Sequence, residues 1–166
     1  MSLALSGQEG TEAFPEEKNA AFMAGIMHRI REMTLFLNTC EQSYYRLGEM
    51  KAPRYISWSR ENRSQLIRVP AAQGSYRRIE LRSPDPMLNP YIAYSLLIHS
   101  GLDGIENGMK PSEQADIDLY DADKETLARF GKLPDNYREA KETASGSEFI
   151  AKYLPPEIIK AYENRR

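Results

Sequence analysis

Seven arginines, no lysine and only two acids, Glu61 and Glu80, fall between Arg54 and Arg82. The stretch reads RYISWSRENRSQLIRVPAAQGSYRRIELR and carries a formal charge of +5; the whole chain is −2, so the remainder sums to −7. A solubilising surface mixes Lys, Glu and Asp more evenly than this. Arginine to the exclusion of lysine suits planar, bidentate recognition of carboxylate or phosphate oxygens. In the run RRIELR, the two-residue period of a strand puts Arg78, Glu80 and Arg82 on one face and Ile79 and Leu81 on the other. A carboxylate held between two cations stays ionised near neutral pH. Such a row can bind an anionic small molecule, with a metal ion on Glu80 as an option. Two alternatives stand beside it: an ordinary solvated strand face of alternating sign, and a basic hairpin offering Trp58, Tyr55 and Tyr76 to single-stranded RNA. The acidic balance of the chain and the carboxylate at position 80 argue against a groove that tracks a phosphate backbone.

The elements that must position these groups are legible as patterns. Tyr55, Ile56 and Trp58, then Leu66, Ile67 and Val69, then Ile79 and Leu81 form three short β-favouring runs, punctuated by Pro53, Pro70, Gly74 and Pro84. Upstream, Pro15, Glu16 and Glu17 open a helix. Phe22, Ile26, Ile30, Met33 and Leu37 give that helix a core-facing stripe, which Met23 and Met27 widen. His28 beside the stripe is expected at the surface. A short helical segment over residues 39–47 leads to Arg46. Asn89 and Pro90 cap a further helix, whose residues Tyr91, Ile92, Tyr94, Leu96, Leu97, Ile98 and Leu102 predict burial, with Gly108 as its stop. His99 on that helix is expected to be packed rather than catalytic. Residues 109–123 predict a loop. The tail predicts helices over 124–130, 136–143, 148–153 and from Pro155 onward.

Composition bounds the class. The 166 residues, 41% hydrophobic and 28% charged, suffice for one domain of ordinary size. No apolar run reaches the roughly 20 residues of a membrane span, and no secretory signal opens the chain. The single cysteine, Cys40, excludes an internal disulfide framework and fits a reducing compartment. Residues 1–14 are small and polar and are expected to form a ragged start.

Five strings carry a family resemblance: SYYRL (43–47), NRSQLIRVP (62–70), RRIELRSPDP (77–86), NPYIAYSLLIHSGLDGIEN (89–107) and DLYD (118–121). Together, over about Ala21 to Tyr120, they resemble the carboxy-terminal part of the catalytic domain of bacterial glutamine synthetase. The expected fold is therefore α+β: a helix-rich portion of that domain, spanning residues 1–166, with a short three-strand antiparallel segment carrying the arginines. The resemblance also implies that the chain starts just after a metal-binding histidine of the family; the last helix reaches Arg166 without a C-terminal cap and is expected to be cut there.

The chemistry implied is ATP-dependent ligation of ammonia to glutamate. ATP phosphorylates the γ-carboxylate, ammonia attacks the acyl phosphate, and phosphate leaves. By resemblance, Arg46 and Arg82 hold the glutamate substrate, and Arg63, Arg68 and Arg78 hold the nucleotide phosphates. Arg63 and Arg82 act on the transferring group, and Glu80 binds the Mg²⁺ or Mn²⁺ that faces ATP. The family works in the cytoplasm as a homo-oligomer of stacked rings, without membrane or nucleic acid. Phosphoryl transfer does need positive groups where oxygens gain charge, and a hard cation does prefer oxygen ligands. The chain departs from the family at Lys51, where a glutamate that closes the site is expected; Glu49 is the nearest acid. This departure leaves room for a ligase that takes another amine, beside a non-catalytic arginine-rich anion-binding module. Tyr120 occupies the place of a tyrosine that some relatives adenylylate, and is expected to be an exposed residue of an acidic loop. The 166-residue chain alone is expected to be inactive.

Overall fold

Acids at the first turn and an apolar stripe at helical spacing produce the longest element, α1 (Glu16–Leu37). The computed structural model describes residues 1–3, 16–49, 51–71 and 78–165. Phe22, Ile26, Ile30, Met33 and Leu37 are all buried, as are Met23 and Met27. Burial extends around the whole last turn, Met33 to Leu37, so α1 is the rod on which several of the later helices pack. His28 faces solvent. A short helix, α2 (Glu41–Tyr45), follows and delivers Arg46 at its C-cap.

α3 (Pro90–Glu106) begins where expected, the Asn89 side chain accepting hydrogen bonds from the Tyr91 and Ile92 amides. It ends at Asn107, and Gly108 takes the left-handed conformation, φ 58°. α1 and α3 touch backbone to backbone. A Cβ on Gly104 would lie 2.1 Å from the Ala21 carbonyl oxygen, and one on Gly25 would lie 2.1 Å from that of Ser100. The Phe22 ring fills the space a side chain at Gly101 would need.

That contact corrects one expectation. α3 is buried on one face only, through Ala93, Leu96, Leu97, Ser100, Gly101 and Gly104. Tyr91 is 86% exposed, and Tyr94, Ile98 and Leu102 are each more than 40% exposed. The small residues determine which side approaches α1, so the large apolar side chains at spacings of three and four are left on the opposite side.

The arginine-rich stretch forms strands, with one difference from expectation. β1 (Ser2–Leu3), β5 (Ile79–Leu81), β4 (Ile67–Val69) and β3 (Trp58–Arg60) make a four-stranded sheet in that order. The pairs β1–β5 and β5–β4 are antiparallel, but β4 and β3 are parallel. Residues 61–66 must therefore carry the chain back along a three-residue strand. Glu61 starts this return at φ 86°, and the Asn62 side chain continues it by accepting from the Ser64 amide at 2.9 Å. The expected ragged start does not hold for residues 1–3: Met1 exchanges backbone hydrogen bonds with Leu81, and Ser2 and Leu3 pair with Glu80 and Ile79. Residues 4–15, including Pro15, lie outside the described residues, as do Gly74, Tyr76 and Arg77.

β2 (Tyr55–Ile56) leaves this sheet and pairs with β6 (Gly131–Lys132), a strand that short apolar content did not betray. The tail otherwise follows its caps. α4 (Lys124–Leu127), α5 (Tyr137–Ser145) and α6 (Glu148–Tyr153) start at Asp123, Asn136 and Ser147, whose side chains accept from the third amide beyond each. α7 (Pro156–Glu163) closes the core by setting Tyr162 against Phe36, ring centroids 4.9 Å apart. His99 is half-buried and stacks on Tyr153 at 3.9 Å, a packed histidine as expected. Among the described residues, no helix is long and apolar enough to cross a membrane.

Candidate functional site

Ile67 and Leu81 are fully buried partners across the β4–β5 ladder, and their burial sets the register. The next rung then places Arg68 directly opposite Glu80 on the other face. The same row continues to Ser59 on β3 and Ser2 on β1, so two small side chains flank the pair. Arg68 Nη1 donates to Glu80 Oε2 at 2.9 Å, and Arg78 Nη2 donates to Glu80 Oε1 at 3.0 Å. One carboxylate therefore organises two guanidinium groups. Burial pushes the Glu80 carboxyl up, but the hydrogen bonds from Arg78 and Arg68, with their charges, outweigh it and hold the group below its ordinary value.

The sign of the linkage follows. A depressed carboxyl stabilises the fold fully above its unfolded value, near 4.5. That contribution fades as pH falls through the lowered folded value. Glu80→Gln is expected to be less stable than the parent at neutral pH by about 1–2 kcal/mol. The gap should narrow in acid, as read from urea unfolding between neutral and low pH. A gap independent of pH would show that the pair contributes nothing through charge.

Arg82 follows β5 directly, and its Nη2 donates to the Lys51 carbonyl oxygen at 3.3 Å. This contact ties the 46–54 turn to the end of β5. Lys51 sits at φ 65° and Gly48 at φ 89°, conformations that tighten the turn. The Lys51 and Glu49 side chains both face solvent. Arg82 Nη1 is buried and has no acceptor among the described residues, and the same holds for Arg68 Nε. Burial pushes the Arg82 guanidinium pKa below its ordinary value; the like charges of Arg63 and Arg68 push it further down, against the opposing influence of Tyr120 and Glu80. Arg63 is exposed in the return between β3 and β4, within electrostatic reach of Arg82. Arg63, Arg68, Arg78, Glu80 and Arg82 thus belong to one electrostatic cluster carrying four guanidinium groups and one carboxylate.

Arg46 stands at the edge of this cluster. Its Nη2 donates to Asn38 Oδ1 at 2.7 Å and to the carbonyl oxygen of Ser83, the residue after Arg82. Its Nε lies 3.7 Å from Asp85, a carboxylate also bonded by Ser43 Oγ at 2.8 Å. Burial pushes the Arg46 guanidinium pKa below its ordinary value and the Asp85 carboxylate opposes this. Sequence reasoning named Arg46 but missed Asn38, Ser43 and Asp85, which orient it. The one available signal was Asp85 itself, an acid between two prolines and so fixed in direction. Two other arginines of the stretch are structural: Arg54 joins the Leu47 carbonyl to Asp135, and Arg60 pairs with Glu16.

Tyr120 departs from expectation. It is half-buried rather than exposed, and its hydroxyl is buried without a partner among the described residues.

The arrangement can bind an oxyanion, since its positive charges exceed its negative ones and buried donors lack acceptors. Among the described residues no three His, Cys, Asp or Glu side chains come together as a metal site. Both Glu80 oxygens are already engaged by guanidinium groups. The described residues alone therefore do not fit a divalent cation, for which Glu80 could furnish one oxygen of several.

Comparison with known proteins matches this geometry to a family. The profile described as "Glutamine synthetase, catalytic domain" matches residues 2–166. A glutamine synthetase from Methanosarcina mazei is 41% identical over 144 residues, covering 85% of this chain and 32% of the relative. One from Clostridium saccharobutylicum is 36% identical over 166 residues, covering 93% and 38%. The chain thus spans about a third of the length of these curated relatives. Among solved structures, a GmaS/ADP complex superposes with a TM-score of 0.75 at 26% identity, over 96% of this chain and 38% of that one. GmaS without ligand superposes with a TM-score of 0.73 at 28% identity, over 96% and 35%. On the match of the catalytic-domain profile along nearly its whole length, the chain belongs to the glutamine synthetase family.

Proposed function

We propose that this chain supplies the phosphate-facing wall of a ligase that activates glutamate with ATP and forms an amide at its γ-carboxylate. The observation that carries this reading is the cluster on β4 and β5: Glu80 holding Arg68 and Arg78, with Arg82 beside them. Phosphoryl transfer has little covalent chemistry for the protein to perform; positioning and charge stabilisation dominate it. Arg68 and Arg78, held by Glu80, present fixed positive charge to the nucleotide phosphates, and the exposed Arg63 is free to reach the transferring group. Arg82 offers a buried donor toward the γ-glutamyl phosphate, and Arg46, bonded to the carbonyl oxygen of the adjacent Ser83, takes the substrate carboxylate. Mg²⁺ or Mn²⁺ neutralises polyphosphate charge when bound; Glu80 would give it one oxygen, and the other ligands would come from outside these residues. The ADP carried by the GmaS relative supports a nucleotide at this fold. Family membership supports glutamate and ammonia as the other substrates, assembly into rings of identical subunits, and a cytoplasmic setting.

Lys51 favours a second reading, a ligase taking an amine other than ammonia. Its exposed side chain stands where the resemblance places a glutamate, on the turn that Arg82 grips. Two assays test these readings. The 166-residue chain with glutamate, ATP and Mg²⁺ is expected to release no glutamine and no phosphate. A protein of the relatives' full length carrying this segment is expected to release phosphate only when glutamate and an amine are both present. Comparing ammonium with methylamine and diamines then selects the nitrogen donor. Phosphate release without any amine dependence would remove the ligase reading.

A further inference from the structure

We propose that Tyr120 is an anion-binding residue of this same site: its hydroxyl and Arg82 Nη1 donate together to one oxyanion of the substrate or of its phosphorylated form. This deepens the ligase reading and rests on it.

The loop that carries Tyr120 is held against the strand layer by a series of hydrogen bonds. Trp58 Nε1 donates to the Ser112 carbonyl oxygen at 2.7 Å, and the Ala115 amide donates to that of Trp58 at 2.9 Å. Asn62 Nδ2 and Gln65 Nε2 both donate to the Ile117 carbonyl oxygen, at 2.9 and 2.8 Å. The Leu119 amide donates to Ser64 Oγ at 2.9 Å, and the Leu119 side chain is buried. Asp118 Oδ1 then accepts from the Tyr120 amide at 2.9 Å, fixing the backbone of the next residue. Three of these anchors, Asn62, Ser64 and Gln65, surround Arg63 in sequence. The tether therefore sets Tyr120 against the arginine cluster by the same segment that presents one of its members.

Two buried groups then share a deficiency. The Tyr120 hydroxyl and Arg82 Nη1 are each buried without a hydrogen-bond partner among the described residues. The 64–66 segment brings the two residues together: the Arg82 amide donates to the Leu66 carbonyl oxygen at 3.0 Å, and Ser64 Oγ holds the residue before Tyr120. In keeping with that placement, the Arg82 charge opposes the burial that raises the Tyr120 phenol. A guanidinium nitrogen can only donate, and a phenol that accepted from it would still have its own proton to place. Native structures seldom leave such groups unsatisfied. One oxyanion oxygen satisfies both, and the surplus positive charge of the cluster favours it. The oxygen could belong to a phosphoryl group or to a carboxylate, and the experiment separates these sources.

The test uses the 166-residue chain labelled with ¹³Cζ-tyrosine, titrated with inorganic phosphate and, separately, with L-glutamate at constant ionic strength. Ten tyrosines contribute signals, and the one missing from Tyr120→Phe is assigned to Tyr120. One of the two anions is expected to move that signal saturably, with the midpoint of its binding isotherm. Tyr120→Phe should weaken that anion about 10-fold, in the range for a hydrogen bond to a charged group, and Arg82→Gln should abolish the response. Unchanged thermal melting of Tyr120→Phe excludes misfolding as the cause. Movement with phosphate alone assigns the oxygen to a phosphoryl group; movement with glutamate alone assigns it to a carboxylate. Binding that Arg82→Gln abolishes but that leaves the Tyr120 signal and the Tyr120→Phe affinity unchanged overturns this inference and spares the ligase reading. Failure of the folded chain to bind either anion overturns the inference and the anion-binding premise together.

Discussion

Arg68→Ala, in a protein of the relatives' full length, is expected to lower kcat/KM for ATP-dependent amide formation by about 10²–10³-fold, the usual loss for one preorganised charge donor at a reacting oxyanion. Arg68 has two tasks in the structure. Its Nη1 holds Glu80, and its buried Nε has no acceptor among the described residues and remains available to an anion. Removing it deletes a donor and also frees one Glu80 oxygen, so Arg78 is left to hold the carboxylate alone. Arg68→Lys is expected to recover little, because a point charge on a flexible stem cannot serve both directions as a planar fork does. Steady-state kinetics, with circular dichroism to confirm the fold, give the measurement. Activity close to the parent's would sever the cluster from the reacting phosphoryl group.

The largest stability effect is expected at the crossing of α1 and α3. Gly104→Ala places a methyl group 2.1 Å from the Ala21 carbonyl oxygen and 2.7 Å from the Gly25 amide nitrogen, both backbone atoms that cannot turn aside. Separating the helices would also loosen Phe22 from Gly101 and Leu97 from the core. A cost of about 3 kcal/mol or more is expected, lowering Tm by roughly 6–12 °C in a domain of this size. Gly146→Ala is the internal control. Its φ is −86°, and an added Cβ would meet nothing closer than 3.6 Å. Such a change is expected to be neutral or slightly stabilising. Equal Tm values for the two variants would show that α1 and α3 are not in backbone contact.

Helices were the most legible part of the fold, because their signals are local. The stripe of α1, the Asn89–Pro90 opening of α3 and the cap of α6 at Ser147 each appear where spacing and capping chemistry place them. The strands were legible as runs but not as pairs. Nothing within residues 58–69 distinguishes a hairpin from the parallel return that the left-handed Glu61 and the Asn62 turn produce. β6 has two residues, one of them glycine, and exists only because β2 lies beside it. α3 misled for a related reason: hydrophobicity all round its circumference predicts burial, whereas Gly101 and Gly104 decide which face is used.

The site divides in the same way. Period 2 in RRIELR was enough to align Arg78, Glu80 and Arg82, since alternation is a property of any strand. Chain order could not tell that Arg68 stands opposite Glu80, because that depends on Ile67 and Leu81 seeking the core together. Nor could it find Asp85 beneath Arg46, or the Tyr120 hydroxyl buried where an exposed loop residue was expected. The sequence by itself determined the inventory of charges, the helices and the family. Only the tertiary structure decided which guanidinium meets which carboxylate, because hydrogen bonds act over a few ångströms and partners such as Arg68 and Glu80, 12 residues apart, or Arg31 and Glu139, 108 apart, become neighbours only when apolar surfaces close.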